Sequence, residues 1–393
     1  MKLDRVKDSL HRCISCSECY GRGPWLPFAD GLDTITDWVC PTLDYYHFLS
    51  HTARGKQYLA REIAYGRMDI DDDVVRIFYS CPDCGICGTM CPRPHHDILR
   101  AMREEIAARG YMPSGNKEIN ERIEKTKNCF GAEQKNRAKW AKELEIPKTG
   151  KVLYFAGCYA SYRQPETASA VIKLLRKAGI DVAYLGEEEW CCGYHAVSTG
   201  SGDIMMEMAQ HNLEAIAKSG AEMVVFSCPA GYRTFRMDYP KGANYSFKVL
   251  SVVELLSQLF KEGKLKVKKG LNRKVAYHDP CLMGRQHLGR HYDVYQAPRD
   301  VIASVPGVEL VEMERHGRWA DCCGSGCGVV SAAYPEVTEF MAKKRLQQAQ
   351  GVANTLLTTC PRCVEILGRV ARQGKKNIKV RDVVDFVAES LER

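Results

Sequence analysis

From residue 148 to the C-terminus, short apolar runs alternate with longer mixed stretches that read as helices. The run Lys151-Val-Leu-Tyr-Phe-Ala-Gly157 predicts a strand leading straight into Cys158, and Lys274-Val-Ala-Tyr-His278 predicts one ending just before Cys281. After each comes a helix and a second strand, Asp181 to Leu185 and Val308 to Glu312, then a triplet, Cys191-Cys192-Gly193 and Cys322-Cys323-Gly324. A longer helix is expected near 201–219 and near 334–350, and a third strand ends on Cys228-Pro229 and on Cys360-Pro361. The same order of elements occurs twice, which is a duplication. Strands alternating with helices predict two small parallel α/β sheets, with the cysteines in the loops after the strands. Open α/β sheets normally carry their sites at that end.

Upstream, residues 1–112 hold eight cysteines in two groups joined by helical stretches, and predict an α-helical, two-cluster ferredoxin-like domain. Residues 113–147 are polar and charged, hold one cysteine, Cys129, and read as a helical linker between Pro113 and Pro147. The expected division is therefore 1–112, the linker 113–147, a first cysteine-rich α/β domain over 148–269 and a second over 270–393.

Composition changes this picture in one respect. Hydrophobic residues make up 45% and charged residues 26%, as in ordinary globular chains, but there are 19 cysteines. Met1 to Arg12 carries charge throughout and lacks an apolar leader core, and no uncharged run approaches the length of a membrane span. A cytoplasmic location is expected, with any membrane contact made through a partner. Thiols stay reduced there, so many cysteines favour metal over disulfides. The net charge of +8 does not point to nucleic acid. Each four-thiolate cubane adds roughly −2, and the basic run Lys264 to Lys269 reads as a solvated turn.

Cys81-x-x-Cys84-x-x-Cys87-x-x-x-Cys91-Pro92 matches the bacterial [4Fe–4S] run in full. Three thiolates two residues apart wrap one face of a cubane, and the proline turns the fourth away. The other group, Cys13-x-x-Cys16-x-x-Cys19 followed by Cys40-Pro41, departs from it by an insertion carrying Trp25 and Trp38, which is expected to cover a cluster or meet a partner. In two-cluster ferredoxins the fourth cysteine serves the other cluster. Carried over, Cys91 joins Cys13, Cys16 and Cys19, and Cys40 joins Cys81, Cys84 and Cys87. Zinc also takes Cys-x-x-Cys pairs but does not call for two triple runs each followed by Cys-Pro.

Cys281, Cys322, Cys323, Cys360 and Cys363 put five thiols where a cubane needs four. Neighbouring Cα atoms are only about 3.8 Å apart, so one of Cys322 and Cys323 is suited to bridge two irons. The motifs His278-Asp-Pro-Cys281, Gly284-Arg285, Pro298-Arg299, Cys322-Cys-Gly324 and Cys360-Pro-Arg-Cys363 resemble the heterodisulfide reductase D-subunit family, and the likeness extends over nearly the whole chain. The iron–sulfur subunits of glycolate, lactate and glycerol-3-phosphate oxidising enzymes are similar. The resemblance implies two ferredoxin-type cubanes, a non-cubane or site-differentiated [4Fe–4S] cluster on those five cysteines, and electron flow between them. Cys322 and Cys323, as its ligands, would then carry any catalysis. The first repeat departs from the pattern: Cys158, Cys191, Cys192 and Cys228 are present, but Gly231 stands where the second has Cys363. Four thiols suffice for a cubane or a zinc ion, and the remains of a lost site is the alternative.

Cys327 reads as a thiol beside the second site, and its glycine-rich loop has the wrong spacing for a nucleotide fingerprint. His195, His278, Asp279, Arg285 and Arg299 neighbour the cysteines in sequence and read chiefly as loop braces, with tuning of a cluster as the sharper role. Cys129, His95 and His96 are given no role. No flavin or nicotinamide fingerprint is present, so the donor or oxidant is expected on a partner subunit carrying flavin or iron–sulfur centres. Three functions follow: a relay subunit of an anaerobic redox complex, a disulfide-cleaving reductase of the heterodisulfide type, or the iron–sulfur subunit of a 2-hydroxy acid oxidising complex. The resemblance also extends to the electron-transfer module of tungsten-type benzoyl-CoA reductase. A colourless zinc protein is the contrasting class.

Overall fold

The computed structural model describes residues 1–20, 38–239, 247–267, 269–285 and 294–391. The two repeats form two four-stranded parallel sheets. The strands are β1 (Val152–Phe155), β2 (Val182–Ala183), β3 (Met223–Phe226) and β4 (Lys248–Ser251), then β5 (Arg273–His278), β6 (Val308–Leu310), β7 (Thr355–Thr358) and β8 (Lys379–Asp382). Their orders are β2-β1-β3-β4 and β6-β5-β7-β8, the same path twice. Each sheet thus has a fourth strand beyond the three expected. β4 and β8 are four-residue runs that begin on lysine at the sheet edge, too short for an apolar signal. What marks them is the helix cap that follows, where Ser251 and Glu254 form a reciprocal capping box and Asp382 accepts from the Val384 N–H. The long helices fall at Gly202–Ser219 and Pro335–Gln350, while β2 and β6 are shorter than the runs that announce them.

Three of the Cys-Pro pairs have a common local cause. Cys40, Cys228 and Cys360 each occupy a helix N-cap with extended backbone, and the proline takes the first helical turn. In both repeats this places a thiol directly beyond the end of a central strand. The triplet glycines are conformational. Gly193 and Gly324 have φ of +77° and +85°, and a Cβ at Gly324 would lie 2.8 Å from the Thr338 carbonyl oxygen. At Gly324 this makes a left-handed turn pressed against the long helix.

The repeats exchange helices across a shared core that runs from Leu153 through Val275 to Val387. The helix Pro165–Lys177 meets Val383–Ala388, with Thr167 donating to Asp385 at 2.7 Å, and Val252–Lys261 meets Gln296–Ala303, with Ser257 donating to Asp300 at 3.0 Å. These are equivalent pairs, as a two-fold relation between the repeats requires. The N-terminal region packs helices Ala53–Ala64, Asp72–Tyr79 and His95–Ala108 around a core of its own. Buried Arg103 ties it to the first repeat by donating to the carbonyls of Phe78, Cys81 and Ser198. Segment 113–147 is packed too. Helix Ser114–Thr126 buries Asn116, Asn120 and Ile123, and Arg137 beyond it is fully buried. In the basic run, Lys264 pairs with Glu262 at the surface, and Lys268 lies outside the described residues. No helix among the described residues is long and apolar enough to cross a membrane.

Candidate metal centres

All nineteen cysteines are unbridged. They gather in four groups, with Cys327 standing between two of them. In the N-terminal region Cys91 has Cys13 and Cys16 among its neighbours, and Cys19 is near Cys40, Cys91 and Cys13. Burial pushes the Cys19 thiol up to about 12. Cys87 lies near Cys84, Cys81 and Cys40, and burial raises it well above the usual thiol range. A cavity of about 640 Å³ opens among Cys40, Cys81, Cys84, Cys87 and Cys91. Of the insertion, Trp25 lies outside the described residues, while Trp38 packs beside Cys19 and Cys40.

The second repeat brings Cys281, Cys322, Cys323, Cys360 and Cys363 around one small cavity. Cys323 and Cys363 sulfurs are 3.4 Å apart. His278, at the end of β5, is the residue whose sequence reading changes most. Its ring lies within 4.8 Å of both those sulfurs. Nδ1 accepts from Arg345 Nε at 3.0 Å, which orients the ring beside the Cys323 sulfur. Burial holds this histidine below its usual range, and burial likewise draws Arg345 down to about 10. The other candidates are braces. Arg299 binds Asp279 bidentately at 2.8 and 3.0 Å and also clasps Glu312. His195 faces the Cys327 carbonyl at 3.4 Å.

This centre touches the ferredoxin run directly. Cys84 shares an apolar cluster with Cys322 and Cys281, and the hydrogen bond between Cys322 and Cys84, aided by the Arg285 cation, draws Cys84 down to about 7. Arg285 donates its Nε–H to the Cys84 carbonyl at 2.9 Å and also bonds the Ala320 carbonyl of the second repeat.

In the first repeat, Cys158, Cys191, Cys192 and Cys228 line a cavity of about 200 Å³. Cys129, which sequence reasoning passed over, lines it as well and is hydrogen-bonded to Cys158. Hydrogen bonds from Cys129 and Cys191 hold Cys158 well below the usual thiol range. Arg137 Nη2 stands 3.6 Å from the Cys158 sulfur and pairs at 2.8 Å with Glu189, both fully buried. Glu189 in turn accepts from the Ala156 and Gly157 N–H groups, and burial raises its carboxyl to about 7. Cys327, with φ of +51°, lines both repeat cavities and has Cys228, Cys360, Cys192 and Cys281 around it.

The donor set fits iron–sulfur chemistry. Thiolates are soft ligands, and buried Arg137, Arg285 and Arg362 supply positive charge beside them. The cysteine-rich domain family matches twice, at residues 152–236 and 275–368. The D-subunit of the dihydromethanophenazine:CoB–CoM heterodisulfide reductase of Methanosarcina barkeri is 33% identical, over 97% of this chain and 94% of its own length. The chain belongs to the heterodisulfide reductase D-subunit family. Membership in it, with its cysteine-rich domains, implies iron–sulfur clusters in an oxidoreductase component. The chain is also 29% identical to a probable iron–sulfur-binding oxidoreductase, FadF, of Bacillus subtilis, over 94% of this chain and 53% of that protein. With the EtfAB:quinone oxidoreductase of Syntrophomonas wolfei it shares 31% identity, over 80% of this chain and 46% of that protein.

Proposed function

We propose that the chain is the electron-transfer subunit of an anaerobic, multi-subunit oxidoreductase located in the cytoplasm. In this reading Cys13, Cys16, Cys19 and Cys91 hold one cubane, and Cys40, Cys81, Cys84 and Cys87 hold a second. Cys281, Cys322, Cys323, Cys360 and Cys363 hold a non-cubane or site-differentiated cluster, and Cys158, Cys191, Cys192 and Cys228 hold a further metal centre. The functional division follows the sequence boundaries, with 1–112 as the ferredoxin-like part and 148–269 and 270–393 as the two cysteine-rich parts. Such clusters, when bound, take up and release single electrons. The observation that carries the reading is the apposition of Cys84 and Cys322, ligands of different centres in mutual contact. Electron donors and acceptors are partner subunits with flavin or iron–sulfur groups.

A second reading, reduction of a heterodisulfide at the C-terminal centre, is favoured by the relative of that name, alike over nearly the full length of both chains. The balance is one disulfide plus two electrons and two protons giving two thiols, with the electrons arriving singly. The two readings part in one experiment. The anaerobic chain alone, reduced by a strong artificial donor, is expected to show iron–sulfur spectra but little specific turnover until partners are added. Rapid reduction of a defined heterodisulfide by the isolated chain, lost on replacing Cys322 or Cys323, would overturn the relay in favour of the reductase.

A further inference from the structure

We propose that Cys129, which lies outside both repeats, is the fifth thiol ligand of an iron–sulfur centre in the first repeat, in the part assigned to Cys363 in the second. This rests on the reading above that the first repeat holds metal.

The position equivalent to Cys363 is crowded. A Cβ at Gly231 would lie 3.0 Å from Cδ1 of Phe226. That ring is itself held between Phe155, at 5.2 Å between centroids, and Phe235, at 4.8 Å. A cysteine side chain there would have to displace packed aromatics.

The fifth thiol comes from the segment upstream of the repeat instead. Helix Ser114–Thr126 ends at Lys127, with φ of +59°, and the next residues turn into the cavity. Asn128 builds that turn from inside. It is fully buried, its Oδ1 accepts from the Phe130 and Ala132 N–H groups at 3.1 Å, and its Nδ2 donates to the Thr126 and Ala132 carbonyls at 2.8 Å. The Cys191 N–H donates to the Lys127 carbonyl at 2.8 Å, fastening the turn to the triplet. Phe130 rests on Tyr159, ring to ring at 5.0 Å, beside Cys158. Cys129 thereby lines the cavity and packs in one cluster with Cys158 and Cys191.

The count and the charge agree with a cluster. Cys129, Cys158, Cys191, Cys192 and Cys228 make five thiols on a cavity of about 200 Å³, whereas a structural zinc ion takes four ligands. The segment that delivers the thiol also delivers Arg137, whose guanidinium lies 3.6 Å from the Cys158 sulfur. Segment 113–147 is then part of the site, which gives buried Asn128 and Arg137 a purpose that a linker lacks.

The test compares iron, zinc and acid-labile sulfide in the full-length chain, isolated anaerobically, with the same measurements on Cys129→Ser and Cys192→Ser. Wild type is expected near 16 irons, and both variants near 12. Loss of iron in Cys192→Ser but full iron and an unchanged electron paramagnetic resonance spectrum in Cys129→Ser would overturn the role of Cys129 while leaving metal in the first repeat. About 12 irons in all three proteins, without zinc, would sink both. A measurement on wild type alone guards against misfolding of the variants. Residue-resolved alkylation should find Cys129 protected in the loaded chain and reactive together with Cys158 after chelation. Cys129 is only half-buried, so burial alone does not protect it, and ready alkylation before chelation would refute the assignment.

Discussion

The two repeats share strand order, a triplet turn and a capping Cys-Pro, yet they differ at three equivalent positions around the strand ends. The second has His278, Thr358 and Cys363; the first has Phe155, Phe226 and Gly231 in register. In one, a histidine oriented by Arg345 points at Cys323. In the other, two phenylalanine rings pack against each other and fill that corner. A duplicated scaffold has thus kept its strand order and changed side chains beside its thiols, because the strand ends hold the thiols in place whatever lines the remaining wall. The repeat that touches Cys84 is also the one that carries His278 and Cys363.

The largest effect that tests this asymmetry is expected from the triplets. Cys323→Ala should abolish the C-terminal cluster signal and stop electron delivery to partners, whereas Cys192→Ala should spare delivery and alter only the first repeat's metal and stability. Equal loss of activity in two well-folded variants would show that the repeats work alike. Next comes the ion pair. Arg137→Met leaves Glu189 buried without its cation, and denaturant unfolding should register a loss of about 3–5 kcal/mol. A loss smaller than about 1 kcal/mol would mean that water reaches this corner.

His278→Phe makes the second repeat resemble the first. With the hydrogen bond to Cys323 removed, cluster affinity or activity should fall by about 10–100-fold, with a shifted cluster potential as the readout that distinguishes tuning from packing. His278→Gln, which keeps a donor, should recover part of it; equal defects in both would argue for packing alone. The smallest change is expected for Cys327→Ser. Cys327 stands between the two cavities, so iron content should hold while the spectra of both repeat centres shift slightly. Loss of a whole cluster would make it a ligand.

Much of this was legible in the sequence. The triple-cysteine runs, the doubled order of strands and helices, and the Cys-Pro pairs are local signals. A proline after an extended residue starts a helix, so Cys228 and Cys360 had to lie where a strand ends and a helix begins. The alternation of apolar runs likewise decided the parallel sheets. What sequence could not show is whatever depends on elements far apart in the chain. Cys129 sits in a polar segment and carries no motif; it meets Cys158 because a turn built by Asn128 is fastened to the triplet. Cys84 meets Cys322 across more than two hundred residues, held there by Arg285 reaching from one region to the carbonyl of the other. His278 reads from sequence as a loop histidine; Arg345, on a helix that begins more than fifty residues later, holds its Nδ1 and fixes the ring beside the sulfurs. Local pattern specifies turns and strand ends, since those energies are settled within a few residues. Which thiols share a centre is settled by packing, where side chains distant in sequence exclude water together and leave one another no other partner.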